Sequence, residues 1–325
     1  MKKAGILFGI FLLISLSLAK GVYSQGQRGS GPGGSPGGPM NDETFGAVSD
    51  NGLDFTILPG PFFEHASVPD VLEFSKDGPA GKAGTLLLYF VDFSEARGPG
   101  TETISMATST DGTTWSEKEP IVLAGKRNQG ATVDPSVIEL PDGRIRMYFF
   151  GSEMTGGDPA MVPGDHKIYS AISGDGIHFK VEEGVRFQSP STTDPDVVRS
   201  GSEWFMVLSK GRDTLLARSN DGLTFNLDRD FILSFGGVPG AVMLPGGKIR
   251  IFVCGREGIL SALFDPGTGT ISEEGTRIKG KTGGLVADPS PIQRRDGSYY
   301  LIFKNRKNSP RKNPERKPPE QRESY

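Results

Sequence analysis

Apolar residues along this chain fall into two patterns that alternate. Nearly unbroken apolar runs stand at residues 86–91, 145–150, 204–208, 249–254 and 299–303. They are rich in aromatic and β-branched residues and bounded by turn formers, which predicts strands buried on both faces. After four of the five runs comes a segment in which apolar and polar residues alternate: 103–108, 167–172, 215–218 and 259–263. Alternation with period two predicts strands that bury one face.

Each apolar run is preceded by a proline with an apolar pair one or two residues on: Pro69, Pro135, Pro195, Pro239 and Pro289. Proline at the start of a strand removes no ladder donor. Turns such as Pro141-Asp142-Gly143, Pro245-Gly246-Gly247 and Asp296-Gly297 separate this first strand from the apolar run. A second motif follows the alternating strand. Its fullest copy is Ser109-Thr110-Asp111-Gly112-Thr113-Thr114-Trp115, with copies at 49–55, 173–179 and 219–225 and a worn one at 264–271. It turns the chain into a fourth strand. Four antiparallel strands per unit, in five units, predict an all-β five-bladed β-propeller. The fifth unit has two strands before the chain turns basic, and the first motif copy precedes any unit. Residues 45–58 are therefore expected to supply the outer strands of the last blade, which leaves no long free edge.

Composition divides the 325 residues into four parts. Residues 1–24 read as a secretory signal: Lys2 and Lys3, an apolar stretch at 6–18, and small residues before Gln25. The apolar stretch is shorter than the ~20 residues of a membrane span, so no stable span is expected after cleavage. Residues 25–43 form a Gly/Ser/Pro-rich linker, 44–303 the propeller, and 304–325 a basic, Pro-rich disordered tail. The chain carries a net −3, of which the propeller alone holds about −10. An acidic body argues against a nucleic-acid face. The basic tail reads as a solvated end. Cys254, the one cysteine, lies in an apolar run and reads as an inert buried thiol. The protein is expected to be a secreted or periplasmic monomer.

The repeated Asp-Gly motif resembles the Asp box of sialidases and related propellers. Its chemistry is local: Asp accepts backbone N–H bonds, Gly supplies a positive φ, and the aromatic packs between blades. These turns lie opposite the face where the first strands begin. At that other face, beside the prolines, stand Asp70, Asp134, Asp194, Asp196 and Asp288. Carboxylates crowded at an axial mouth repel one another and raise pKa values. Hard oxygen ligands converge there as well, so a structural Ca2+ is the one metal the pattern admits; no other cofactor is expected.

The sequences VDPSVIELPDGRIRMYFFG and ADPSPIQRRDGSYYLIF, with Asp at the start of inner strands, resemble the five-bladed glycoside hydrolases of the arabinanase, xylosidase, invertase and levansucrase group. The resemblance spans residues 45–303 and implies an exported glycosidase acting on a glycan at the axial pocket through acid/base carboxylates. It implies that Asp70 is base or nucleophile and that Asp134 and Asp194 tune and orient. The family also needs a general acid, and Glu153, at the head of the longest insertion, is the first choice. The fourth blade opens Gly237-Val238-Pro239-Gly240, without an acid. A glycan-binding propeller that kept the pocket and lost the acid therefore stays open beside the enzyme. So does a sialidase-like protein that binds an acidic sugar, although Ser67-Val68-Pro69 lacks the arginine of the sialidase Arg-Ile-Pro motif. Arg212, Arg256 and Arg306 share one aligned position in consecutive blades. They are either ordinary surface arginines or a cationic arc that binds the anionic group of such a sugar. His65 and Asp288 complete the expected substrate-binding set.

Overall fold

The computed structural model describes residues 39–97, 101–125, 131–152, 165–280 and 284–307. The signal segment, most of the linker, the tail beyond residue 307 and Glu153 lie outside the described residues.

The described chain is almost wholly β and forms five antiparallel blades. Blade I comprises Ala66–Glu73, Leu86–Asp92, Thr103–Ser109 and Glu119–Pro120. Blade II comprises Ala131–Glu139, Ile145–Ser152, Asp165–Ser173 and His178–Val181. Blade III runs through Thr193–Ser200, Glu203–Lys210, Asp213–Ser219 and Asn226–Leu233, and blade IV through Gly237–Met243, Ile249–Gly255, Gly258–Asp265 and Thr270–Lys279. Blade V takes Gly284–Gln293 and Tyr299–Lys307 from one end of the chain. Asp42–Ser49 pairs antiparallel with Tyr299–Lys307, from Asp42 opposite Arg306 to Ser49 opposite Tyr299, and Thr56–Ile57 pairs outside it. Blade II is wider than the rest. Phe187–Pro190 joins its third strand, and Val122–Ala124, arriving from blade I, adds in parallel to His178–Val181.

The first strand of every blade touches the first strand of the next, and that of blade V touches that of blade I. These strands therefore line the axis of a ring. The apolar runs become second strands, and their side chains fill the wedges between blades. Tyr89, Met147 and Phe179 pack between blades I and II, Tyr148, Trp204 and Phe225 between II and III. Phe205, Ile251 and Phe264 fill the III–IV wedge, Phe252 and Leu301 IV–V, and Phe90, Tyr300 and Ile302 V–I. Full burial of such side chains stabilises by about 1.5–3 kcal/mol each, and here it falls at every blade junction. Among the described residues no helix is long and apolar enough to cross a membrane.

The last second strand extends past the apolar run. Residues expected to begin a disordered tail, Lys304 to Lys307, belong to the strand Tyr299–Lys307. The reason is electrostatic. Lys304 and Arg306 are not solvated: Lys304 Nζ stands 3.7 Å from Asp42 Oδ2 and 2.5 Å from Asp288 Oδ2, and Arg306 forks onto Asp42.

Candidate functional site

Every first strand carries the same local distortion. Pairing with the second strand slips between Ser67 and Asp70, Thr193 and Asp196, Gly237 and Gly240, and Ala287 and Ser290, with the matching slip in blade II at Tyr148/Phe150. The residue before each proline adopts a left-handed backbone: Val68 (φ 47°), Asp134 (55°), Asp194 (50°), Val238 (49°) and Asp288 (51°). A residue before proline prefers extended backbone, so each bulge is a strained point held by its surroundings. Aspartate tolerates this region far better than valine does. The bulges bring all five residues, with their prolines, to the wall of one axial cavity, which Asp70 and Asp196 also line. The cavity leaves about 20 Å³ for the centre of a water molecule, room for a water or two and not for a sugar ring.

Three of the five bulge positions carry carboxyls. Asp134 and Asp194 are neighbours: the Asp194 N–H donates to Asp134 Oδ2 at 3.3 Å, and Thr193 Oγ1 donates to Asp194 Oδ2 at 2.6 Å. Burial pushes the Asp134 carboxyl well above the usual carboxylate range, and the negative charges of Asp194 and Asp288 push it further. Asp288 is different. It accepts the Val68 N–H at 3.2 Å and ion-pairs with Lys304. Burial opposes the Lys304 charge, but Asp288 and Asp42 outweigh it and hold its pKa above the ordinary lysine value.

Two residues further on, a belt ties the blades together. The side chain there accepts the backbone N–H one residue later in the next blade: Asp70 from Val137, Ser136 from Val197, Asp196 from Ala241 and Ser290 from Val71. Ser290 also donates to Asp70 Oδ1 at 2.6 Å, and Ser136 to Asp196 Oδ1 at 3.1 Å. The fifth place has neither partner. Gly240 has no side chain and Pro291 has no N–H, and the blades meet there through backbone, with Pro289 O only 1.8 Å from where a Gly240 β-carbon would stand. Burial raises the Asp70 carboxyl well above its normal range, helped by the charge of Asp196, and burial raises Asp196 to about 6.

The structure thus brings Asp70, Asp134, Asp194 and Asp288 together at the axis. It does not bring the arginines there. Arg212 and Arg256 are exposed, Arg306 is committed to Asp42, and none lines the cavity. His65 is exposed, with its Nδ1 2.5 Å from Met40 O, and does not line the cavity either. No three acidic, histidine or cysteine groups among the described residues are arranged to hold a metal ion. Sequence reasoning missed Lys304 and Asp42. The signal for Lys304 was its register. It faces Ala287, the residue before the bulge, where the other blades place Val91, Phe150, Ser209 and Cys254. A lysine at a position otherwise apolar or small calls for a buried counter-ion.

No protein-family model and no curated protein matches the chain. Solved structures do resemble it. A thermostable family-43 glycoside hydrolase superposes with a TM-score of 0.54 at 14% identity, over 75% of this chain and 94% of that one. An endo-1,4-β-xylanase from Bacteroides thetaiotaomicron gives 0.53 at 15%, over 73% and 84%. An N-acetylgalactosamine deacetylase from F. plautii, in complex with blood group B trisaccharide, gives 0.52 at 12%, over 82% and 95%. At such identities the likeness is one of fold: this chain has the propeller architecture of glycoside hydrolases.

Proposed function

We propose that this protein is an exported propeller that hydrolyses a glycosidic bond over the mouth of its axis, with Asp134 and Asp194 as the working carboxyl pair. The observation that carries this reading is their adjacency in strained bulges, with burial and neighbouring charges raising the Asp134 carboxyl well above the usual range. Two carboxyls in different roles are what the reaction needs: a proton donor to the leaving oxygen, and a carboxylate that attacks the sugar or activates water. Asp134 is the donor and Asp194 the carboxylate. Asp288, neutralised by Lys304, and Asp70, with both oxygens engaged, position the pair. The sugar sits above the small cavity, at the mouth that the bulges and their prolines frame. Glu153, the acid expected from the sequence, lies outside the described residues, and Glu153→Gln belongs in the assay that tests the pair. The residues 1–24 direct export, and N-terminal sequencing of secreted protein is expected to begin at Gln25.

A second reading, glycan binding without turnover, is favoured by Val68 and Val238, which occupy two of the five bulge positions. One experiment separates the two: a panel of aryl glycosides (arabinofuranoside, xyloside, fructoside, uronide, sialoside) with wild type, Asp134→Asn and Asp194→Asn. Loss of a proton-transfer group is expected to cost about 10²–10⁴-fold in rate. Binding of the same sugars without turnover selects the second reading, and neither binding nor turnover refutes both.

A further inference from the structure

A second opening in this molecule is far roomier than the cavity at the axis. A cleft of about 440 Å³ lies on the opposite face, between blades V and I, where the Asp-Gly turns stand. That volume is within the range of small-molecule sites, roughly 300–1,000 Å³. Its walls are the loop Lys82-Ala83-Gly84-Thr85, Thr110 of the blade I turn, and Arg294, Arg295 and Asp296 of the blade V turn, over a floor made by Glu73.

The polar groups here are unevenly satisfied. Glu73 is spent: Oε1 accepts from Arg294 Nη2 at 3.3 Å and Oε2 from the Arg295 N–H at 2.8 Å. Asp296 accepts the N–H and hydroxyl of Ser298. Arg294 is poorly served in return. Its Nη1 reaches Asp111 O only at 3.5 Å, and its buried Nε has no partner. The Arg295 backbone is pinned by Glu73 while its exposed side chain crosses toward the facing loop, with Nη1 3.5 Å from the position of a Gly84 β-carbon. Lys82 is held only by a 3.9 Å contact with exposed Asp77, a pair worth little in water. The groups that line the cleft are three cations and two occupied carboxylates, and Asp77, off the wall, is the weak partner of Lys82.

We propose that this cleft is a second ligand site, which takes the carboxylate of a uronic acid residue between Arg295, Lys82 and Arg294. The planar guanidinium fork of Arg295 matches a carboxylate, which it can meet with two parallel N–H bonds. Thr85 and Thr110 also line the cleft, and their side chains carry hydroxyls of the kind a sugar's own hydroxyls pair with. The site owes nothing to the axial carboxyls and stands or falls without them.

The test is a titration of the full chain with galacturonate, galactose and inorganic phosphate, followed by amide NMR shifts or calorimetry. Galacturonate is expected to bind saturably, with shifts at residues 82–85 and 294–296, and galactose and phosphate at least tenfold more weakly. Arg295→Ala is expected to weaken galacturonate about tenfold, the loss of one charge-assisted hydrogen bond. Arg295→Lys, which keeps the charge and loses the fork, is expected to recover only part of that. Both changes are at an exposed side chain, so an unchanged thermal midpoint is the control for folding. Asp134→Asn is expected to leave galacturonate binding as it is while removing axial turnover, so the two sites fail separately. Equal affinity for galactose, tighter binding of phosphate, no binding of galacturonate, or binding indifferent to Arg295→Ala each overturns the proposal.

Discussion

A buried lysine shows how one side chain can set the chemistry of a whole axis. Lys304 lies within ion-pair distance of a bulge carboxyl, Asp288, and sits between it and Asp42. Replacing it by methionine keeps the volume and leaves both carboxylates without that partner. Breaking one side of a buried pair typically costs 3–5 kcal/mol. Lys304→Met is therefore expected to lower the unfolding free energy obtained from urea denaturation by about that amount, with a lower midpoint, and Lys304→Arg to recover part of it. A midpoint unchanged in Lys304→Met would mean that Asp288 is solvated. Lys304 also explains where sequence reading stopped short. Composition changes sign after Phe303, so a basic residue there reads as tail. Only the counter-ions reveal that it is core, and Asp42 is more than two hundred residues away along the chain. The same distance hid the belt. Asp70 reads as a reactive carboxylate from its place beside Pro69, yet Val137 and Ser290, from two other blades, occupy its oxygens.

At the scale of the strand and turn, the sequence was far more legible, because each element is repeated and each copy checks the others. The repeated turns are built alike: the serine Oγ accepts the glycine N–H at 2.9–3.0 Å in the copies at Ser49, Ser109, Ser173 and Ser219. What repetition did not announce is that these turns are also staples. The glycine carbonyl of each turn receives a side chain from the preceding blade: Tyr89 to Gly176, Tyr148 to Gly222, Tyr300 to Gly112 and Arg250 to Gly52. Tyr148→Phe removes one such bond and leaves a buried carbonyl unpaired, a loss of about 1–3 kcal/mol. Turnover at the axis is expected to be untouched, since the turn is on the opposite face. Chemical denaturation checks the first half of this statement and the glycoside panel the second. The IV–V junction behaves differently, because backbone meets backbone there. Gly240→Ala would place a methyl inside Pro289 O, and no flexible side chain can yield. Overpacking of this kind costs at least 1–3 kcal/mol, and Gly240→Ala is expected to lose folded yield where Ser136→Ala, which removes a belt bond and adds no volume, does not. Equal yields would show that the blades can part without cost.

For the molecule as a whole, the balance of two carboxyl populations sets how stability depends on pH. Those at the axis are pushed up: Asp70 and Asp134 well above normal, Asp196 to about 6, in each case chiefly by burial. Those in the turns are pulled down, by the N–H groups of Thr113 and Thr114 at Asp111, of His178 and Ile177 at Asp175, and of Leu223 and Thr224 at Asp221. The signs are opposite. A carboxyl whose pKa is raised by folding binds its proton more tightly in the native state, so stability falls as pH rises through the interval between the unfolded and folded values. For Asp196 that interval runs from the ordinary value of about 4 to about 6. A carboxyl lowered by folding stabilises above about pH 4 and loses that contribution as the solution becomes more acidic. The two slopes meet, and the thermal midpoint is expected to peak at about pH 4–5 and to decline toward neutrality. The net negative charge of the body adds to the decline, because self-repulsion grows as carboxyls ionise. Asp196→Asn keeps an acceptor for Ala241 and removes the titration, so its midpoint is expected to change less between pH 4 and 6 than that of wild type. A wild-type midpoint that climbs steadily to pH 7 would mean that the axial carboxyls are ionised at little cost. Asp134 would then be an ordinary carboxylate and a poor proton donor, and the binding reading of the axis would be the one left standing.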